Sequence, residues 1–407
     1  MSQVTRQMAF SNPLTLLNQL VKSKPLKMVG NRQIKESSIL MSLGFTDEQQ
    51  MVFDVVGKFT TDRYDYIKRK NYIGSPIGFS KENWSILAKA GMLMIPISEE
   101  NGGLGGSAAD IISVMQPFGR AAAVEPLLPC AIFAGHFIDL FGSFEQKQKY
   151  VPQIIDGVIQ IAVAHTERTA RFDLGFVTTT YRQKGNDYVL NGHKSFVMGS
   201  GAADAFIISA IPENSSSDDK SSIRFFIVPS ASDNFSKRDY RLMDGSVASE
   251  LDLQNTEAEL MDARFEDFLE SVTLTKVAAC AEMVGIMELL FESTVDYTST
   301  RQQFGKALAK FQTIQHRIAE AYSKLELCRS HLIYLSSLDR NGTDYYKAVS
   351  GVKAYISKAA IELGEEAVQL HGGMGVSDEM IVGHALKRLW ILSSLFGDYD
   401  TEIRRYF

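Results

Sequence analysis

The chain has 407 residues, with 42 Lys plus Arg against 48 Asp plus Glu, a formal net charge of −6 and 45% apolar residues. That is globular composition, long enough for a large core and, at about 150 residues per domain, for two or three domains. A mildly acidic chain without a basic stripe argues against nucleic acid as the main partner. Cys130, Cys280 and Cys328 form no CxxC pair, which excludes a disulfide framework and a thiolate zinc site and fits a reducing compartment. The seven histidines contain no HExxH, so no metal site is expected.

Residues 1–44 read as a basic extension. The first forty hold Arg6, Lys22, Lys24, Lys27, Arg32 and Lys35 against Glu36, a charge of +5 that leaves −11 on the remainder. Two readings stand: a solvated extension that docks on its own domain or a partner, or an organelle transit peptide. They imply a cytoplasmic location and, alternatively, the mitochondrial matrix. A secretory signal does not fit, because no apolar run precedes a small-residue cleavage site.

Residues 45–158 read as an α-helical domain. Thr46-Asp47-Glu48-Gln49 is a capping box, followed by Val52, Val55, Val56 and Phe59 at helical spacing. A second helix starts near Ser80 and carries Trp84, Leu87, Ala88 and Met92. The glycine-rich run Glu99 to Gly106 lacks the Lys-Ser/Thr of a phosphate-binding loop. Ala121 to Phe141 is the most apolar stretch. Glu125, Pro126, Pro129 and Asp139 interrupt it, so it reads as a core helix entered through a Pro-marked turn and not as a transmembrane segment.

Residues 159–268 read as a β domain, a small barrel or sandwich. Asn191-Gly192 predicts a hairpin turn within Asp187 to Val197, since Asn-Gly suits a type I′ turn. Ala205 to Ala210 and Ile223 to Val228 read as short buried strands around a polar loop, and Leu242 to Leu253 as further sheet.

Residues 269–407 read as a helical bundle. Ile314, Ile318, Ala321, Leu325, Cys328, Leu332 and Leu335 alternate by four and three, the stripe of an antiparallel bundle. A second long helix is predicted over Tyr345 to Leu370, after a turn at Asn341-Gly342. His371-Gly-Gly-Met-Gly375 closes it, either as a C-terminal cap or as a close backbone approach to a pyrophosphate.

Five motifs then stand in order: His165-Thr166-Glu167, Leu190-Asn-Gly-His-Lys194, Arg301-Gln-Gln-Phe-Gly-Lys306, Phe311-Gln312 and Ala367-Val-Gln-Leu-His-Gly-Gly-Met-Gly375. Together they resemble the acyl-CoA dehydrogenase family over nearly everything after residue 45. Leu395-Phe-Gly-Asp-Tyr-Asp400 looks most like the small subunits of its pimeloyl-CoA-type branch. The resemblance implies a fold that is mainly α with a β middle domain: an N-terminal helical domain, a middle β-barrel and a C-terminal four-helix bundle. It implies FAD at an interface with a second copy or a paralogous subunit, an acyl-CoA substrate and an electron-transfer flavoprotein as acceptor. The chemistry it implies is α,β-desaturation, in which a carboxylate takes the α-proton and flavin the β-hydride.

Carried over by position, the resemblance places Arg301 at the diphosphate of the neighbouring subunit's FAD, with Phe304 and Gln312 beside its adenine and pyrophosphate. Gln369, Gly372 and Gly373 match the turn that approaches the nucleotide, and Asp400 joins the expected FAD contacts. Taken alone, Arg301 reads as a surface charge and Phe304 as a bundle core residue. The flavin-ring side departs from the family pattern. Thr166 and the aromatic Phe196 are kept. Arg171-Phe172 replaces a Gly-Ser pair, and Met198 stands where a hydroxyl usually faces the flavin. His165 is either a new donor near the ring or a satisfied core histidine. The catalytic base falls at Asp398, which equally reads as a helix cap. Another branch carries its base at the position of Thr275, which cannot serve, and Glu282 would face elsewhere. Two other readings remain: a different flavoenzyme of the fold, such as a nitroalkane oxidase, or a non-catalytic partner that completes another subunit's FAD site.

Overall fold

Capping side chains set the helix starts in the first third of the chain. In the computed structural model, which describes residues 44–185, 187–340, 342 and 344–407, Thr46 Oγ1 accepts from the Gln49 amide and Gln49 Oε1 from the Thr46 amide. This opens α1 (Asp47–Arg63), and Asp65 and Ser80 cap α2 (Tyr66–Gly74) and α3 (Lys81–Lys89). Ser107–Asp110 and Ser143–Gln146 repeat the box at α4 (Ala108–Arg120) and α6 (Phe144–Ile155). The basic extension over residues 1–43 and Asn341 of the predicted turn lie outside the described residues.

The apolar stretch before α6 is buried as expected but wound differently. Leu127–Gly135 forms a π-helical turn and continues into α5 (His136–Phe141). Such windings are rare and concentrate at functional sites. No described helix is long and apolar enough to cross a membrane.

Seven strands follow: β1 (Ile161–Ala164), β2 (Thr180–Lys184), β3 (Asp187–Met198), β4 (Ala205–Pro212), β5 (Arg224–Pro229), β6 (Phe235–Arg241) and β7 (Val247–Leu260). Strands β4, β2, β3, β7 and β5 pair in that order and β5 returns to β4, a closed ring; β1 and β6 add to its edges. Two predictions fail here. Asn191-Gly192 is no hairpin turn: β3 runs through it, and the turn falls between Lys184 and Asp187, which pair directly. Instead the dipeptide sits at a register shift against β7, where Asn191 Oδ1 accepts from the Asn255 amide at 2.8 Å. A Cβ at Gly192 would press into Thr179, so the glycine serves close packing. The expected strand from Leu242 instead begins with a turn: the Leu242 amide bonds Ser246 O, and β7 starts at Val247. Strand β6 went unseen because Phe-Ser-Lys-Arg-Asp-Tyr-Arg is polar for a strand.

The last third is the bundle: α7 (Phe265–Thr300), α8 (Gln312–Ser337), α9 (Tyr345–His371) and α10 (Ile381–Ser394), closed by the short α11 (Tyr399–Tyr406). On α8, Leu325, Cys328, Leu332 and Leu335 are buried, while Ile314, Ile318 and Ala321 are half-buried toward its start. Buried charge joins the domains. Arg388 of α10 holds Glu282 of α7 at 2.7 and 3.1 Å and Asp244 of the β6–β7 turn at 3.1 Å. Arg69 of α2 donates to Ala122 O and Asp244 O.

Candidate active site

A cavity of about 260 Å³ lies where the barrel meets the bundle. Thr166 and His165, just past β1, and Phe196 and Met198 of β3 form one wall, continued by Arg171 and Phe172. Leu128, Pro129 and Phe133 of the π turn and Ser394 to Phe396 after α10 form the other. The structure therefore brings His165, Thr166, Phe196 and Met198 together.

His165 is a wall and not a free donor. Its Nε2 donates to Leu174 O at 2.8 Å, which leaves Nδ1 to accept from the Ser209 hydroxyl at 2.9 Å. Phe268 packs on the ring at 4.3 Å. Burial pushes its pKa down to about 3, so the imidazole is neutral. Behind it Lys194 reaches Ser209 at 3.0 Å and Glu167 at 2.6 Å. The Thr178 and Thr179 hydroxyls also donate to Glu167, Thr179 Oγ1 at 2.7 Å, and their amides add bonds at 2.7 and 3.0 Å. Burial works to raise the Glu167 pKa, but Lys194 and these donors outweigh it and hold it at about 2. Thr166, half-buried, uses its carbonyl on the Ser195 amide.

Backbone strain concentrates here. Arg171, Phe196 and Phe396 hold φ of +52°, +53° and +60°, three of the seven non-glycine residues with positive φ among the described residues. Each such residue costs roughly 1–2 kcal/mol and persists only where its surroundings over-determine it, a pattern of functional sites.

Asp398 lies two residues beyond the lining residue Phe396 and caps α11: its Oδ1 accepts from the Thr401 amide at 2.9 Å. Thr401 holds its carboxyl below the usual range. Asp400 is exposed in the first turn of α11. The other carboxylate considered, Glu282, is committed to Arg388, and the Thr275 hydroxyl donates to Ser271 O at 2.7 Å. Arg301, Phe304, Gln312, Gln369, Gly372 and Gly373 all lie on the open bundle surface, none in the cavity, and Phe304 is 90% exposed with φ of +53°.

Profiles described as the N-terminal, middle and C-terminal domains of acyl-CoA dehydrogenase match residues 46–158, 162–256 and 265–405. The chain belongs to the acyl-CoA dehydrogenase family. A 3-(aryl)acrylate reductase of Clostridium sporogenes is 28% identical over 81% of this chain and 90% of its own length. An acyl-CoA dehydrogenase of Bacillus subtilis is 32% identical over 74% and 82%. The solved structure "PigA with FAD and proline" superposes with a TM-score of 0.81 at 25% identity, covering 90% of this chain and 98% of that one.

As a family member the protein is an FAD-dependent oxidoreductase, and its cavity fits the flavin ring system. The walls are aromatic and apolar with Thr166 at hand, and about 260 Å³ sits just under the ~300 Å³ at the small end of ligand pockets. That volume does not take a whole dinucleotide, so the remainder must lie outside the cavity. Sequence reasoning missed Phe133, Phe396 and Arg405 near this site. No local pattern announces a carbonyl-binding arginine such as Arg405.

Proposed function

We propose that the chain desaturates an acyl-CoA thioester between Cα and Cβ, with Asp398 as the base. The observation that supports this is a largely aromatic and apolar cavity at the junction of barrel and bundle, with Asp398 on the turn that leaves it. Bound FAD supplies the hydride acceptor. Thr166 and Phe196 would bound its ring, and Phe133 and Phe396 would exclude water from the reacting bond. Asp398 removes the α-proton. Its carboxyl, held low by Thr401 in the free chain, gains basicity when substrate excludes water.

Arg301, Phe304, Gln312, Gln369, Gly372 and Gly373 would hold the dinucleotide of a neighbouring subunit, a second copy or a paralogue, with Asp400 as a further contact. Their exposure in one chain supports that placement. An electron-transfer flavoprotein is the acceptor the family resemblance implies. The three buried, unpaired cysteines support a reducing compartment such as the cytoplasm. A second reading runs the same reaction backwards, as an enoyl thioester reductase; the relative named 3-(aryl)acrylate reductase favours it.

The test is anaerobic bleaching of the flavin band of the purified full chain by a panel of acyl-CoAs. Wild type should bleach. Asp398→Asn should bleach about 10²–10⁴-fold more slowly, the range of general acid–base catalysis. Its melting temperature should hold, because Asn caps a helix about as well as Asp. Full bleaching by Asp398→Asn would remove the base assignment. Reoxidation of reduced flavin by enoyl thioesters, without bleaching by any acyl-CoA, would establish the reductase reading.

A further inference from the structure

Resting on the reading above, we infer that Arg405 is a positioning residue that sets the spacing between the two walls of the flavin-side cavity. Its guanidinium spans them. Nη2 donates to Phe172 O at 2.9 Å on the barrel side, and Nη1 to Phe396 O at 2.6 Å on the bundle side. Phe172 and Phe396 both line the cavity. One planar group with a fixed fork of donors therefore fixes the distance between two carbonyls that belong to different domains.

The anchor of this strap is buried. Arg405 pairs with Glu402 Oε1, and Lys276 of α7 holds Glu402 Oε2 at 2.9 Å; Glu402 is fully buried. Such a pair does not swing freely, because stranding either charge in the interior is costly. The chain makes room for it: a Cβ on Gly397 would overlap the Glu402 carboxylate and lie 2.8 Å from Arg405 Nη1. From behind, the buried Lys353 donates to Ser393 O at 2.9 Å and Gly397 O at 3.2 Å, fixing both ends of the turn that carries Phe396.

The strap also accounts for the strain. Phe396 is left-handed and Phe172 follows left-handed Arg171. Strained backbone persists where its surroundings over-determine it, and Arg405 grips a carbonyl in each strained segment. The Arg171-Phe172 pair, where the family resemblance leads one to expect Gly-Ser, is thus tied directly to the C-terminal helix. Arg405 thereby selects the acyl groups that pass between Phe172 and Phe396.

Arg405→Lys is the discriminating variant. Lysine keeps a charge for Glu402 but is a point donor that cannot hold two carbonyls in a plane. Arg405→Met, with Lys276 left to pair Glu402, serves as the second variant. Expected for Arg405→Lys is hydrogen exchange about tenfold faster in the amides of 170–176 and 394–398 but not in α9, the loss of one charge-assisted hydrogen bond. The bound flavin's absorption band should change shape, and KM for acyl-CoA should rise about tenfold with a smaller change in kcat. Unchanged exchange in both segments overturns the inference. So does faster exchange with the flavin spectrum and KM of wild type, because the strap would then be structural only. Wild-type protein that binds flavin but is bleached by no acyl-CoA would instead defeat the desaturase reading, while exchange and spectrum still test Arg405.

Discussion

The cavity walls and the bundle surface around Arg301 differ in what one chain supplies. At and behind the cavity wall much of the polar chemistry is committed within the chain: His165 uses both nitrogens, Glu167 its whole carboxylate and Arg405 both arms of its fork. At the bundle surface Arg301, Phe304, Gln312 and Gln369 stand exposed. By the family resemblance, the cavity is also where the chain departs from the expected pattern, and the surface is where it conforms. A site that one chain completes can be remodelled by compensating changes inside that chain. A surface that matched a neighbour and a shared dinucleotide, as proposed above, would have less latitude.

The strongest way to break this contrast is to remove the anchor on the complete side. Glu402→Gln takes the shared carboxylate from Lys276 and Arg405 and leaves two cations without their buried partner. Breaking a buried pair in this way costs about 3–5 kcal/mol. Urea unfolding of the variant should show that loss, together with a flavin that dissociates more readily. A loss below about 1 kcal/mol, the scale of exposed pairs, would mean the cluster is solvated and the cavity less closed than its geometry.

Acid should weaken the same side next. His165 and His136 are buried and pushed down to about 3 by desolvation, and His136 Nδ1 meets only the Ser271 hydroxyl at 2.9 Å. Their unfolded pKa is near 6.5, so below that pH the unfolded chain binds protons that the folded chain refuses. Stability therefore falls as pH drops from about 6.5 toward 3, by about 1.4 kcal/mol per pH unit for each histidine. From pH 7 to 5.5 the pair should cost about 2.5 kcal/mol in urea titrations. Glu167, held at about 2, adds loss in the same direction below about pH 4.5. His331 and His384 are also pushed down by burial and add to the slope, so His136→Gln should remove one histidine's share, about 1 kcal/mol between pH 6.5 and 5.5; an unchanged slope would mean other groups carry it.

What could be read from the chain follows the same division. Thr46, Ser80 and the stripe from Leu325 to Leu335 act through neighbours three or four residues away, so their roles are visible locally. Asn191-Gly192 misled because a β-bulge and a hairpin turn draw on the same residues, and only the partner strand decides between them. Arg405 reaches Phe172 across 233 positions, and Phe396 meets Phe133 at 5.1 Å from another domain. Such pairs exist only after the domains dock. Asp398 sits between these cases: its capping bond to Thr401 is local and legible, while its reach toward a substrate depends on how the turn after α10 is held.

The smallest effect on the fold is expected from the exposed side, and that makes it the sharpest probe of the contrast. Arg301→Ala and Phe304→Ala remove side chains from open surface, and substitutions of that kind stay within about 0.5 kcal/mol. Urea unfolding of the flavin-free chain should be indistinguishable from wild type. If a neighbour's dinucleotide rests on these residues, the same variants should still lose flavin on dilution and elute smaller on sizing columns than wild type at equal concentration. Phe304 is the more telling of the two. Its φ of +53° costs backbone energy in the single chain, and its 90% exposed ring has only an edge contact with Phe311, at 6.3 Å between centroids, to set against that among the described residues. Cover for the ring in an assembly would offset that cost. Retained flavin and unchanged elution in both variants would remove the reason for placing a second subunit there, and the contrast between the two regions would then reduce to burial alone.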